Sequence, residues 1–422
     1  MKQVIFGLIV ISLGLLLKAC NTTEPPEGQG INLKLEDVSC TEAWITLTTT
    51  NLPLPTTVTL NQTNPSGDTK SQILNLNTQD SLLYIDSLLP NRTYSFITSH
   101  SGLTGISSNE LSVITLDTTS HAFTWQTWTF GEHDASFLWD VAIIDKNSVY
   151  AVGEIYINDT LGQPDPHPYN LAEWNGNTWE LRKLTYQGYP PVVHSVCAIN
   201  ENDVWFDPWF HWDGQNYKEL VIDPIFIGVG INKMWGNEVG IYVVGDEGFV
   251  GHRNTNGIWQ NVESGTETRI NDVWGIIAKE NKTILYCPVS SFFIPGDKKI
   301  LKIVDGKADS VSWNRDVRLY SAWAVNENIL YVCGEGAYVN KFGVWDEIDL
   351  YPVGTNSVRG NSSNDIFIVG DSGAIFHFNG VSWKMLNTPN NKGYSKVAIR
   401  GNIVVICGNY QGQGLIEIGT RN

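Results

Sequence analysis

NSVRGNSSNDIFIVGDSGAIFHFNGVSWKML, residues 356–386, reads as one complete β unit. Ile366 to Val369 is an apolar run, and Gly370-Asp371-Ser372-Gly373 is a turn. Ala374 to Phe378 forms the next strand. Asn379-Gly380 predicts a tight type I′ hairpin, whose two central positions need positive φ. Ser382 to Leu386 then closes the unit. The same order of parts returns at a spacing of roughly 30 to 50 residues, which is the mark of a repeat architecture.

Aligning the units places seven inner strands in register. They are Leu138–Ala142, Val193–Cys197, Ile231–Trp235, Ile270–Trp274, Leu319–Trp323, Thr355–Arg359 and Tyr394–Ala398. Second strands follow, from Val149–Val152 to Val404–Cys407, and most of them end in Gly. Hairpins to an outer strand recur at Asn175-Gly176, Asp213-Gly214, Asn256-Gly257 and Asn379-Gly380, most with a Trp or Tyr close behind. Phe342-Gly343 is a shorter version, and Asp305-Gly306 opens a longer one. Seven four-stranded units predict a β-propeller. The last unit stops at its third strand, Leu415–Ile418. Phe123–Trp128 supplies the missing fourth strand, with Trp125 matching Trp179, Trp259, Trp345 and Trp383. Closing the ring in this way removes the exposed sheet edge. The hairpins resemble degenerate Asp-boxes of sialidase-type and photosystem-assembly-factor-like propellers. That resemblance implies the fold and no particular activity.

Upstream, Ile31 to Asp117 carries short alternating strands, such as Ala43–Leu47 and Thr57–Leu60, and no helix signal. About seven strands in this length predict a sandwich. In Leu88-Leu89-Pro90-Asn91-Arg92-Thr93-Tyr94, the Tyr follows the Pro by four residues. The motif resembles the tyrosine corner of fibronectin type III domains, with Arg92 where Thr is common. The resemblance implies an Ig-like (fibronectin type III) spacer or adhesion module, and a structural role for Tyr94. The whole chain is thus expected to be all-β: a sandwich at 31–117, then a seven-bladed propeller at 121–422 closed by its own N-terminal strand.

Residues 1–19 read as a leader, with Lys2 followed by the apolar Val4–Leu17, too short for a comfortable span. It ends in Leu17-Lys18-Ala19-Cys20, which resembles a bacterial lipobox, although Lys18 stands where a small residue is usual. The resemblance implies lipidation at Cys20 and a cell-envelope address, outer membrane and periplasmic or surface-exposed, with acyl chains as the only contact with the membrane. Residues 20–30, rich in Pro and Gly, are a flexible tether. The other cysteines, Cys40, Cys197, Cys287, Cys333 and Cys407, are odd in number and lack CxxC spacing. They predict neither a disulfide framework nor a zinc site. Cys333 and Cys407, each before a Gly in an apolar strand, read as small buried hydrophobes.

A net charge of −17 argues against nucleic-acid binding. No GxSxG, HExxH, phosphate loop or GxGxxG in strand–helix context is present, and arginine is scattered among the repeats. The residue types that differ from blade to blade carry the functional signal. The second aligned position gives Trp139, His194, Asn232, Asn271, Tyr320, Asn356 and Ser395. A ring of such side chains at a channel mouth suits stacking on, and hydrogen bonding to, a sugar or peptide. The alternative is a hydrated mouth without ligand. The fifth position gives Ala142, Cys197, Trp235, Trp274, Trp323, Arg359 and Ala398. Its tryptophans suit packing between blades; Arg359 suits either an anionic ligand or a neighbouring carboxylate. The 154–169 insertion is rich in oxygen ligands but lacks a calcium-loop pattern, so no metal or other cofactor is expected. The aromatic run 204–212 is read as a sugar-stacking patch or, alternatively, as core packing. The expectation is a monomeric, non-catalytic binding protein for a glycan, a peptide or an envelope protein. The alternatives are a carbohydrate-active enzyme working at the channel and an envelope assembly factor.

Overall fold

A computed structural model describes residues 28–278, 281–291, 296–387 and 390–422. The leader, Cys20 and the tether as far as Glu27 lie outside the described residues. The chain divides into two compact units at Thr115/Leu116.

The first unit holds seven strands: β1 Gly30–Val38, β2 Ala43–Thr50, β3 Thr56–Thr63, β4 Thr69–Leu76, β5 Asp80–Ile85, β6 Thr93–His100 and β7 Leu111–Ile114. They form two antiparallel sheets, ordered β1-β2-β5 and β4-β3-β6-β7. Strand alternation sends Leu33, Ile45 and Leu47 of one sheet, and Val58, Leu60 and Phe96 of the other, into one buried core. Tyr94 is also buried there, and its hydroxyl accepts a hydrogen bond from the Leu89 amide at 2.9 Å. The phenol thereby satisfies a backbone donor that would otherwise be stranded where the chain enters β6.

The second unit is a seven-bladed β-propeller. Six four-stranded antiparallel sheets follow in chain order, with innermost strands Phe137–Asp145, Val196–Asn200, Ile231–Asn237, Trp274–Ile277, Leu319–Asn326 and Thr355–Ser362. The seventh pairs Gly393–Arg400, Ile403–Tyr410 and Gln413–Arg421 with β8, Phe123–Phe130. The ring closes with Trp125 opposite Gly419 and Phe123 opposite Arg421. The second strands are almost wholly buried, as in Ile366–Gly370, because each blade is covered on its two faces by the blades on either side. All five described cysteines are buried thiols outside any disulfide.

Two turn expectations are corrected. Asn379-Gly380 is not a two-residue type I′ turn, because only the glycine takes positive φ. The loop is longer, and Asn379 Oδ1 accepts the amides of Val381 and Ser382 at 3.0 and 2.9 Å. Asn175 and Asp213 do the same in their blades. The side chain mimics a backbone turn and replaces the second positive φ. The tight connections are instead Asp305-Gly306 and Phe342-Gly343, where both residues have positive φ. The aromatic run of blade two is also settled in large part as packing, since Trp205, Phe206 and Phe210 are buried in apolar clusters.

Candidate functional site

Seven inner strands converge on the propeller axis. At the second aligned position, four of the seven side chains are tied into the next blade. Asn232 donates to the carbonyl of Ile270 at 2.9 Å, and Asn271 to that of Leu319 at 2.9 Å. Asn356 donates to Tyr394 O at 2.9 Å, and Ser395 to Leu138 O at 2.7 Å. Each acceptor is the first aligned residue of the following inner strand. These donors hold blade to blade and are occupied. Trp139, His194 and Tyr320 make no hydrogen bond through a side-chain N–H or O–H among the described residues. Trp139 lies against Phe137 and His194, with ring centroids 4.1 and 5.6 Å apart. His194 is exposed at the mouth. Partial burial of the ring and then Arg269 lower its pKa. Beneath it, Asp207 is buried and accepts the amides of His194 and Ser195 at 2.8 and 2.7 Å. Burial pushes its carboxyl up to about 7 against those two amides.

One residue further along, the third aligned position reads Asp140, Ser195, Lys233, Asp272, Ser321, Ser357 and Lys396. This ring was not singled out from the sequence. Its signal was there: seven polar residues in strands that are otherwise apolar at the next position. Asp140 Oδ2 accepts the Val196 amide at 2.9 Å, and Ser195 Oγ accepts that of Met234 at 2.9 Å. Asp272, Ser321 and Ser357 likewise accept the amides of Ala322, Val358 and Val397 at 3.2 Å each. Side chains here must be acceptors to satisfy the neighbouring blade, which explains Asp and Ser. The two lysines break that rule, since an ammonium cannot accept.

The charged members pair across two blades. Lys233 Nζ reaches both oxygens of Asp140 at 2.7 and 2.5 Å. Arg359, at the fifth position, forks onto Asp272 at 2.9 and 2.8 Å and lies over the Trp274 ring at 5.0 Å. Ser195 donates to Asp140 as Ser321 donates to Asp272, so an acid, a hydroxyl and a cation recur over two successive blade triplets. Of the two readings of Arg359, the carboxylate pair is the one in place. Burial would raise the Asp272 pKa, but Arg359, Lys396 and Lys233 hold it well below the carboxylate range. Trp235 and Trp323 lie against Gly275 and Gly360 of the next blade, where a Cβ would come within 2.5 and 2.7 Å of the indole. They pack blades together. A cavity of about 290 Å³ opens on this level, lined by Asp140, Lys233, Trp235, Trp274, Arg359 and Lys396.

Elsewhere, Asp165 of the 154–169 insertion pairs with Lys183 at 2.5 Å. Among the described residues no three His, Cys, Asp or Glu side chains are grouped to hold a metal ion.

No protein-family model and no curated protein matches the chain. Among solved structures it is similar to "YCF48 bound to D1 peptide", at 14% identity over 72% of this chain and 100% of that one, with a TM-score of 0.52. It is similar also to YCF48 from Cyanidioschyzon merolae, at 14% identity over 70% of this chain and 98% of that one, with a TM-score of 0.49. At this identity the first likeness shows a shared propeller fold.

Proposed function

We propose that the chain is a non-catalytic binding protein whose propeller presents Trp139, His194 and Tyr320 to a peptide segment of a partner protein. The carrying observation is the division of labour at the channel mouth. The amide and hydroxyl donors of Asn232, Asn271, Asn356 and Ser395 serve the next blade. The three aromatic rings have no such duty, and their apolar faces suit packing against peptide side chains. A glycan would need several free donors and acceptors to read its hydroxyls, which favours the peptide. A propeller of the same fold is known with a peptide bound. In this reading the sandwich is a fibronectin type III spacer, Cys20 carries the lipid anchor, and the protein works as a monomer in the bacterial envelope. Partner binding here is compatible with an assembly role.

The test is selection of binders from a displayed random-peptide library on the intact chain. Selected peptides are then titrated against Trp139→Ala and Tyr320→Ala. Each substitution is expected to weaken binding about tenfold, the size of an interface anchor. Undiminished affinity in both variants, or binding of glycans on an array without peptide binding, overturns the proposal.

A further inference from the structure

The channel ring has two carboxylates, Asp140 and Asp272, against three cations, Lys233, Arg359 and Lys396. The first two cations are each matched to one carboxylate. The Lys396 ammonium has no carboxylate within ion-pair distance and no hydrogen-bond partner among the described residues. The protein is otherwise acidic, which makes a channel cation without a close carboxylate partner conspicuous. Lys396 is half-buried, and a cation partly desolvated in a narrow channel without a close partner is costly. Burial lowers the Lys396 pKa, Asp272 raises it, and Lys233 and Arg359 add to the lowering.

The charge faces space. The cavity of about 290 Å³ runs along the inner strands from Asp140 to Ile143 and from Lys396 to Arg400. It therefore lies beyond the charged ring, on the side away from Trp139 and His194. Its volume is at the lower end for a small-molecule site, roughly 300 Å³. Trp235 and Trp274 supply aromatic walls. Arg400 stands at the outer end, donating to the carbonyl of Ile143 at 3.2 Å.

We infer that this cavity is a second, separate binding site, for a small organic monocarboxylate whose anionic group pairs with Lys396 and whose apolar body lies between Trp235 and Trp274. The charge follows from the lining: Lys396 has no carboxylate partner and Arg400 only a carbonyl, so the cavity calls for an anion. Inorganic phosphate would leave the aromatic walls without an apolar partner, which favours an organic carboxylate.

Benzoate is the probe, with benzamide as its uncharged isostere, titrated calorimetrically into the full chain at pH 7. Benzoate is expected to bind saturably and benzamide not to bind. Lys396→Met should weaken benzoate at least tenfold, while Lys396→Arg retains it. Because Lys396→Met removes a charge from the channel, its folding is checked by circular dichroism. A wild-type measurement covers the case of misfolding: benzoate affinity should fall severalfold between pH 7 and pH 10.5 as the ammonium loses its proton while benzoate stays ionised. Absence of benzoate binding, equal binding of benzamide, unchanged affinity in Lys396→Met, or a pH-independent affinity overturns the inference. Trp139→Ala and Tyr320→Ala should leave benzoate binding unchanged, so the mouth and the cavity fail or succeed separately.

Discussion

Arg359 shows how much one buried side chain can carry. Its guanidinium makes two bonds to Asp272, one to Ser321 Oγ at 3.0 Å and two to backbone carbonyls, and it caps the Trp274 ring. Removing one partner of such a pair strands the other charge, at a cost of about 3 kcal/mol. Arg359→Met and Asp272→Asn should therefore each lower stability by about that amount in urea unfolding followed by tryptophan fluorescence. The double variant should cost clearly less than the two together. A cost below about 1 kcal/mol for both single variants would show that the pair is not holding blades four and six. Arg359 was visible in the sequence as the cation that breaks an apolar column. Its partner was not, because Asp272 is 87 residues away and two blades distant. The same limit hid Lys396, whose significance is the absence of a carboxylate and so cannot be read from its neighbours in sequence.

Among the elements, the outer hairpins show where sequence patterns blur. Asn-Gly suits both a two-residue turn with two positive φ angles and a longer loop in which the asparagine side chain caps the amides. Asn379 takes the second course. Asn379→Ala should lower stability by about 1 kcal/mol, the typical net worth of such bonds. Val381→Ala, at an exposed position of the same loop, should change it little. Equal effects at the two positions would mean that the side-chain cap contributes nothing. Blades two and four show a second departure. Their inner ladders begin only at Val196 and Trp274, later than the aligned pattern suggests. In blade two the amides of His194 and Ser195 are taken by Asp207, so the carboxylate stands in for a strand partner.

At the scale of the whole molecule, ring closure joins residues nearly 300 apart. β8 pairs along the full length of Gln413–Arg421 except at its first residue. Beside this seam His121 Nδ1 lies 2.8 Å from His377 Nδ1, and His377 Nε2 lies 3.0 Å from Asp365, which also binds Arg421. Burial, then His377, Lys384 and Arg421, lower the His121 pKa from 6.5 to about 4. The folded protein thus resists a proton that the unfolded chain accepts. The contribution of neutral His121 is complete above about pH 6.5 and is lost as pH falls toward 4. His121→Phe keeps an aromatic ring there but cannot titrate. The melting temperature of the native chain, relative to this variant, should drop by several degrees between pH 7.5 and pH 4.5. The comparison cancels titration at Asp207, whose raised pKa acts in the opposite direction. A difference that stays constant with pH would place the titration elsewhere.

Sequence alone determined the all-β class, seven repeats, their strand order and the closing role of Phe123–Trp128. Local signals suffice for these, since strand alternation, turn residues and repeat spacing are all properties of neighbouring residues. It also located the inner strands, and with them every residue of both channel rings. Tertiary structure alone decided what those residues do. It showed that Asn232, Asn271, Asn356 and Ser395 fasten blades, that Lys233 and Arg359 are paired, and that Lys396 is not. The reason is distance along the chain: each bond runs to the next blade or the one after. A side chain's partner is therefore set by the closure of the ring and by the order of the blades around it.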